Sequence, residues 1–390
     1  MSLTRKAERI QYYNWRVHRP WLFILALLVL TNQPAAAFAQ DAPATRGQAA
    51  RERLNTGAGH LQRGEVDLAI RELKKALALD PQSAAAHMLL GQAYLERRQV
   101  GLIAEAKAEL QQALDLDPGL VWARFYLAKV YIDLGRLDRA QEELELGLKE
   151  RPNVPHFLSL LGEVNRKAGR PETAIELHRK ALAADPSMTP AHYYIGLAFM
   201  DLKRQDEAIA ALESALQSPH VAPEMYLTLG SLYAGKKRYQ EGEELCKKAV
   251  ALDPSRPEGH VNLAQLYNLR GASDQALREL ALALDGKSFP TSPYYQLLQA
   301  DAFFERGRAY QAKRMTSEAA QAYLTVLELN PNEGRTHKQL AELYLGTGEY
   351  ARAFRHLTMA EKLGTAVDPA LKGEILRRLG GDPPAAPKMP

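Results

Sequence analysis

The stretch Val121–Pro152, VWARFYLAKVYIDLGRLDRAQEELELGLKERP, decides the fold of this chain. Apolar residues recur at every third or fourth position in both of its halves, which predicts two amphipathic helices. Gly135 stands between the halves, where a left-handed residue suits the end of a helix. Pro152 stops the second helix. The stretch therefore predicts a pair of helices joined by a turn.

The same unit returns along nearly the whole chain. Pro118, Pro152 and Pro186 follow one another at intervals of 34 residues, and Pro254 follows after 68, which is two periods. Counted from Val121, small residues stand at places 8, 20 and 27, and large apolar residues at places 7, 11 and 24. Small residues let two helices approach closely, and the large ones fill the space between them. A repeat of this length predicts a stack of small units instead of one globular core.

This pattern resembles the tetratricopeptide repeat, whose signature is W-x2-L-G-x2-Y, then A-x3-F, then A and P. Leu229, Gly230 and Tyr233 match the first part of the signature, and Ala249 and Pro254 match the last. The resemblance implies an all-α fold, a solenoid wound as a right-handed superhelix of about nine helix-turn-helix repeats. The copies cover residues 50–363 and start near residues 50, 84, 121, 155, 189, 223, 257, 300 and 334.

The residues that precede the array have the composition of a secretory signal peptide. Residues 1–39 combine a basic stretch, ten apolar residues at Trp21–Leu30 and the small-residue cleavage pattern Ala37-Phe38-Ala39. We therefore expect an exported, periplasmic protein with no stable membrane insertion after cleavage. The alternative is an inner-membrane anchor at residues 21–39, although the apolar run is shorter than the ~20 residues that a span requires.

The segments that flank the array are short. Residues 40–49 are expected to form a linker between the signal peptide and the first repeat. Within residues 364–379, an amphipathic helix is expected to cap the open end of the stack, as solenoids require. Residues 380–390 are rich in Gly and Pro and are expected to be disordered.

Charge and cysteine usage exclude several classes of protein. The chain has 50 Lys and Arg and 46 Asp and Glu, of which five and one lie in residues 1–39, so the remainder carries 45 of each sign. A neutral domain lacks the electrostatic footprint of a nucleic-acid binder. The single cysteine, Cys246, stands at the core place 24 and is expected to be a buried, inert thiol.

Motifs that would carry chemistry fit the repeat better than they fit an enzyme. Gly230–Lys237 approaches the phosphate-binding pattern G-x4-G-K-[ST], but Lys237 replaces the hydroxyl residue and the segment is helical in pattern. Four histidines stand at place 4 of different repeats, too far apart to share one metal; they are His87, His192, His260 and His337. The sequence therefore predicts a non-catalytic protein without a cofactor or a metal.

The resemblance implies a binding groove. In the family, places 2, 5, 6, 9, 12 and 13 of each first helix line the concave face. Carried over to this chain, these places predict a peptide-binding groove formed by Met88, Gln92, Trp122, Phe125, Tyr126, Lys129, Arg166, Lys167, Tyr193, Tyr194, Leu197 and Met200. Other groove places hold His156, Glu163, Asn262, Gln265, Asn268, Phe304 and Arg308. Aromatic residues and Met flanked by charges are typical of a peptide-binding surface.

We therefore expect the chain to bind protein or peptide segments along its concave face. The first alternative is a structural scaffold in a bacterial envelope assembly, such as polysaccharide export or pilus biogenesis. The second alternative is a helper subunit whose catalytic partner is a separate chain. The repeat pattern is specific for the fold, but it says little about the ligand.

Overall fold

The computed structural model describes residues 46–97, 99–218, 221–285 and 293–381. Within these ranges the chain forms nineteen α-helices and one short 3-10 helix, and no strand. The helices are α1 (Arg46–Gln62), α2 (Val66–Leu79), α3 (Ala84–Arg97), α4 (Ile103–Leu116), α5 (Val121–Asp133), α6 (Leu137–Glu150), α7 (Pro155–Lys167), α8 (Pro171–Ala184), α9 (Thr189–Asp201), α10 (Gln205–Ala215), α11 (Pro223–Gly235), α12 (Tyr239–Leu252), α13 (Pro257–Leu269), α14 (Ser273–Ala283), α15 (Pro293–Ala312), α16 (Thr316–Leu329), α17 (Gly334–Gly346), α18 (Tyr350–Lys362) and α19 (Pro369–Arg378).

Helices α1 to α18 form nine consecutive pairs, which we number repeats 1 to 9, and α19 follows as a single helix. The fold class expected from the sequence is confirmed: the described parts are a stack of helix pairs with a terminal capping helix. Repeat 2 is three residues longer than the period of 34, and its turn contains the 3-10 helix Val100–Leu102 between α3 and α4. Helix α15 is overlong because two additional turns precede its repeat start at Ala300.

The array begins earlier than its sequence pattern indicates. Helix α1 starts at Arg46, so residues 46–49 are helical and not part of a linker. The guanidinium of Arg46 donates to the carbonyls of Leu79 at 2.8 Å and Ala78 at 3.3 Å, where α2 leaves its last carbonyls without helical partners. The predicted signal peptide and most of the predicted tail, residues 382–390, lie outside the described residues.

The recurring Asp-Pro marks a specific turn. Each of Asp80, Asp117, Asp185 and Asp253 follows a second helix, and its carboxylate accepts the backbone N–H two residues later at 2.9–3.2 Å. This side-chain turn directs the chain from one repeat into the next. The proline that follows Asp cannot continue the helix, and the motif therefore sets the repeat length.

The turn inside each repeat needs a left-handed residue. Glycine provides it in five repeats, as the sequence predicts, with φ between 69° and 80° at Gly64, Gly135, Gly169, Gly271 and Gly348. In repeats 5, 6 and 8 the same conformation is adopted by Lys203, Lys237 and Arg314 at φ near 60°. Residues 230–235 of the approximate phosphate-binding pattern lie on α11, and Lys237 lies in the turn that follows this helix.

Place 8 is where the two helices of a repeat meet. A Cβ built on Gly57, Gly91 or Gly196 would lie 2.6–2.7 Å from the Cγ of the leucine at place 24 of the same repeat. Cys246 holds place 24 in repeat 6 and is fully buried, which confirms its predicted core position. The helix spacing therefore depends on glycine at place 8 in repeats 1, 2, 4, 5, 6 and 8, whereas repeats 3, 7 and 9 have alanine there.

The helices divide into two compact units, of which unit 1 contains α1 to α10 and unit 2 contains α11 to α19. In each unit, the second helix of a repeat packs against the first helix of the next repeat. Unit 1 has a continuous core through repeats 1 to 4. In unit 2, Ile375 of α19 is fully buried in the core of repeats 8 and 9, as a capping helix requires.

Candidate functional site

The candidate site of unit 1 lies on the surface that the first helices α3, α5, α7 and α9 form side by side, here called the first-helix face. Helix α3 contacts α5, and α7 contacts α9. Aromatic rings of α5 and α7 also contact each other. All twelve residues that the sequence predicts for the groove lie on these four helices. Their exposure differs widely, and the exposure decides which of them a ligand could touch.

Aromatic rings from two repeats form the centre of the face. Trp122 of α5 makes edge-on contacts with Phe125, His156 and Phe157 at ring-centroid distances of 5.4, 5.6 and 5.8 Å. Phe125 and Phe157 are buried, whereas Trp122 and His156 are half-buried. The indole is therefore held in one orientation while part of it faces solvent.

The aromatic centre is uncharged at neutral pH. Burial lowers the pKa of His156 to about 4, and the positive charge of Lys129 adds to this effect, while Asp185 opposes it. The imidazole is consequently neutral at pH 7 and extends the apolar surface of Trp122 from repeat 3 to repeat 4. Neutral aromatic surface of this kind is suited to apolar side chains of a partner.

One cation borders the aromatic centre. The Nζ of Lys129 lies 4.8 Å from the ring centroid of Phe125 and 5.5 Å from that of Tyr126, within the range of a cation–π interaction. On the neighbouring α3, the amide of Gln92 donates to Glu96 at 2.8 Å. The side-chain oxygen of Gln92 is buried without a hydrogen-bond partner.

A second aromatic element lies on α9 in repeat 5. The ring of Tyr194 is half-buried and stacks on the imidazole of His178 at 5.3 Å and 11°. His178 is fully buried, and the hydroxyl of Ser159 lies 3.2 Å from its Nδ1. Tyr193, which precedes Tyr194 in the chain, is buried in the core. Tyr194 therefore rests on a rigid base and presents one side to solvent.

A buried ion-pair network joins α7 to α9. The side chain of Arg166 is 1% exposed and donates to both oxygens of Glu163 at 3.1 Å and to Asp201 at 2.8 Å. Burial raises the pKa of Glu163, but the charge and hydrogen bonds of Arg166 outweigh burial and hold this pKa below its ordinary value. Arg166 is thus engaged inside the protein and offers no surface to a ligand.

The twelve predicted groove residues fall into two groups. Eight are buried, namely Met88, Gln92, Phe125, Tyr126, Arg166, Tyr193, Leu197 and Met200. Four are half-buried, namely Trp122, Lys129, Lys167 and Tyr194. The first group forms the floor of the face and the second group forms the part that a partner could contact.

Sequence reasoning missed the residues that support the face from beneath. His178 stands at place 24 of a second helix, where the other repeats have Leu, Cys or Tyr, and nothing in the repeat pattern links it to Tyr194. Asp201 stands at place 13, one of the family's groove places, so its position next to Arg166 in the following repeat could have been inferred from the repeat register.

The corresponding places of unit 2 hold polar networks. Asn268 donates to the backbone carbonyl of Glu305 at 2.8 Å and to its carboxylate at 2.9 Å, and Arg308 donates to the same carboxylate at 3.1 Å. Phe304 is buried beneath the guanidinium of Arg335 at 4.6 Å. The exposed aromatic character of unit 1 is not repeated at these places.

Comparison with protein families identifies the repeat. Models described as tetratricopeptide repeats match residues 98–164, 233–302, 160–223, 194–257 and 300–333, and a model described as a TPR repeat matches residues 60–97. Together the matches run without interruption from residue 60 to residue 333.

Curated relatives share the repeat but are longer. The DnaJ homolog subfamily C member 7 homolog of Schizosaccharomyces pombe is 25% identical over 313 residues, 75% of this chain and 58% of the relative. The human protein O-mannosyl-transferase TMTC1 is 23% identical over 214 residues, 47% of this chain and 24% of the relative. The chain thus spans less than two thirds of either protein.

Among solved structures, the anaphase-promoting-complex hetero-tetramer Cut9–Hcn1 aligns with a TM-score of 0.57 at 17% identity, covering 88% of this chain and 78% of the other. This likeness supports the fold and carries no information about a ligand. Over the ranges that the structure describes, every helix is too short or too polar to cross a membrane.

Proposed function

Because the chain belongs to the tetratricopeptide repeat family, we propose that it binds an extended segment of a partner protein on the first-helix face of unit 1. Proteins of this family generally act in protein–protein interaction. The proposal assigns binding to this chain and no chemical step. Its ligand-contacting residues are Trp122, Lys129, Lys167 and Tyr194.

The observation that carries the proposal is the rigid, partly exposed state of Trp122 and Tyr194. Trp122 is held by edge-on ring contacts and Tyr194 by stacking on His178, so binding of either ring to a partner costs little side-chain entropy. The two rings come from repeats 3 and 5 of one unit. An extended segment could place apolar side chains on both rings, and Lys129 and Lys167 would then orient its polar groups.

The test begins with a partner captured from the envelope fraction of the native host. We expect Trp122→Ala and Tyr194→Ala each to weaken binding about 10- to 30-fold, because truncation of an aromatic anchor typically costs about 2 kcal/mol. Calorimetric titration of the purified partner measures the change. Circular dichroism must show that each variant keeps its helical content.

Tyr131→Ala is the matched control. Tyr131 is also a half-buried aromatic residue of α5, but its ring faces Lys107 of α4 at 5.6 Å and not the first-helix face. The Tyr131→Ala variant should leave the affinity for the partner unchanged. If the two face variants bind as well as this control, the first-helix face of unit 1 is not the binding surface, and the envelope-scaffold alternative gains support.

We further propose that the protein acts in exported form, after removal of residues 1–39. The support is the order of basic stretch, apolar run and Ala37-Phe38-Ala39 in the sequence. Of the expected compartments, the periplasm is the one in which a partner should be sought first.

A further inference from the structure

The fourth residue of a first helix bridges its repeat to the preceding turn. In repeat 7, the Nε2 of His260 lies 3.1 Å from the carbonyl oxygen of Pro254, and its Nδ1 lies 2.7 Å from a carboxylate oxygen of Glu279 on α14. Both partners are acceptors, so the ring satisfies them best when both nitrogens carry a proton. The geometry therefore favours the imidazolium, and the hydrogen bond to Glu279 raises the pKa of His260.

Other repeats place a basic residue and a carboxylate in the same arrangement. In repeat 2, His87 lies 3.1 Å from the carbonyl of Pro81 and 2.5 Å from Glu109 of α4. In repeat 3, Arg124 replaces the histidine and donates to Glu143 of α6 at 3.1 Å. A basic residue at place 4 thus faces an acid on the second helix in repeats 2, 3 and 7.

Repeat 9 departs from this rule because its second helix carries histidine instead of the acid. The Nε2 of His337 lies 3.2 Å from the carbonyl of Pro331, so Nε2 carries a proton. The Nδ1 of His337 faces the Nδ1 of His356 on α18 at 2.9 Å. Only one proton fits between two nitrogens at this distance. The pair is complete when both rings are neutral, with His356 donating and His337 accepting.

Among the described residues, no carboxylate is placed to balance the positive charge that a second imidazolium would add to this pair. Arg352 and Arg355, on the same helix as His356, add positive charge to its surroundings. Across the described residues of repeats 8 and 9 and α19, neither ring has a carboxylate within ion-pair distance. Glu333, in the turn between α16 and α17, pairs with Arg335 of α17. Glu361 of α18 pairs with Lys372 of α19. The ring of Tyr344 stacks on His356 at 5.6 Å.

We propose that the His337–His356 pair is an acid-sensitive latch, which holds repeat 9 and α19 closed at neutral pH and lets them open reversibly in mild acid. Protonation of the second ring would place two cations against each other between α17 and α18. Helix α19 packs on α18 and follows its movement. Repeats 2 and 7, whose histidines face carboxylates, keep their bridges under the same conditions.

The direction of the effect follows from proton binding. Burial, followed by the charge of His337, lowers the pKa of His356 from 6.5 to about 4, and burial also lowers that of His337. The opened state therefore binds more protons than the closed state below pH 6.5, and stability is lost as the pH falls from 6.5 towards 4. If the pKa of His356 is 6.5 in the opened state and about 4 in the closed state, the equilibrium constant for opening increases about 30-fold between pH 8 and pH 5.

Hydrogen exchange of the full chain, read by mass spectrometry, tests the latch. After correction for the intrinsic pH dependence of exchange, protection of residues 334–378 should fall about 30-fold from pH 8 to pH 5. Protection around His87 and His260 should change far less. Return to pH 8 should restore the protection.

His356→Glu supplies the carboxylate found in the other repeats, and its protection should no longer fall at pH 5. His356→Gln, a neutral replacement that can donate to His337, is the second variant in case Glu disturbs the fold. In the unaltered protein, NMR titration of the two imidazole rings should give a pKa well below 6.5 for His356. Ordinary values for both rings, or an unchanged acid response in the two variants, would overturn the proposal.

Discussion

At the scale of the residue, the spacing of each helix pair depends on what faces place 8. In repeat 4 the side chain opposite Gly162 is His178, and in repeat 8 the one opposite Gly307 is Tyr323. These larger rings fill the space that leucine fills elsewhere. His178 then also forms the base for Tyr194, so one substitution at a packing position changes the candidate binding face.

The replacement Gly230→Leu tests this dependence. A Cβ at residue 230 would lie 2.9 Å from the Sγ of Cys246 and 3.1 Å from the carbonyl oxygen of Gly242, so the two helices must separate. We expect a loss of about 1–3 kcal/mol in the free energy of unfolding, measured by chemical denaturation.

Gly373→Leu is the matched control because a Cβ at residue 373 in α19 meets nothing within 4 Å. Leucine has the higher helix propensity, so this variant should be as stable as the unaltered protein or slightly more stable. If Gly230→Leu unfolds at the same denaturant concentration as the control, the assigned repeat register is wrong.

At the scale of the element, ion pairs connect first helices of neighbouring repeats. Arg166 of α7 pairs with Asp201 of α9 and also with Glu163 of its own helix. Sequence analysis places Arg166 among the ligand-binding residues, whereas the structure assigns its guanidinium to the protein interior. The reason is that Arg166, at place 12 of repeat 4, meets the acid Asp201 at place 13 of repeat 5.

Removal of Arg166 should therefore affect stability before it affects binding. Arg166→Ala removes the closer cationic partner of the buried Glu163 carboxylate and leaves Lys167, whose Nζ lies 3.8 Å away. We expect a loss of about 3–5 kcal/mol in the free energy of unfolding. Arg139→Ala is the control, since Arg139 pairs with Glu142 on an exposed helix surface and should contribute little. A variant that keeps its full stability but loses partner binding would instead support a ligand-contacting role for Arg166.

At the scale of the whole molecule, the basic excess of the chain belongs to its first 39 residues, since the remainder carries 45 charges of each sign. We predict that the protein purified from its native host begins at Gln40. Intact-mass spectrometry measures the N-terminus directly. Replacement of Ala37 and Ala39 by Leu should block the cleavage, because the processing site requires small residues there. An uncleaved chain recovered from the inner membrane would support the anchor alternative.

The repeat architecture could be predicted in detail because its causes are local. Apolar spacing, the left-handed glycine and the Asp-Pro turn each act within a few residues, and their recurrence makes the register unambiguous. The left-handed Lys203 and the early start at Arg46 could not be predicted in the same way. Lysine seldom adopts a left-handed conformation, and Arg46 precedes the repeat pattern and is held by hydrogen bonds to the end of α2.

The sequence alone determined the all-helical repeat fold, the number of helix pairs and the first helix that carries each side chain proposed for the groove. Only the tertiary structure decided which of those side chains are available, since it buries Arg166 and Tyr193 and leaves Trp122 and Tyr194 partly exposed. It also decided which histidines meet an acid and which meet another histidine. Helix periodicity depends on short-range geometry, whereas exposure and charge pairing depend on contacts between repeats that are one full period apart in the chain.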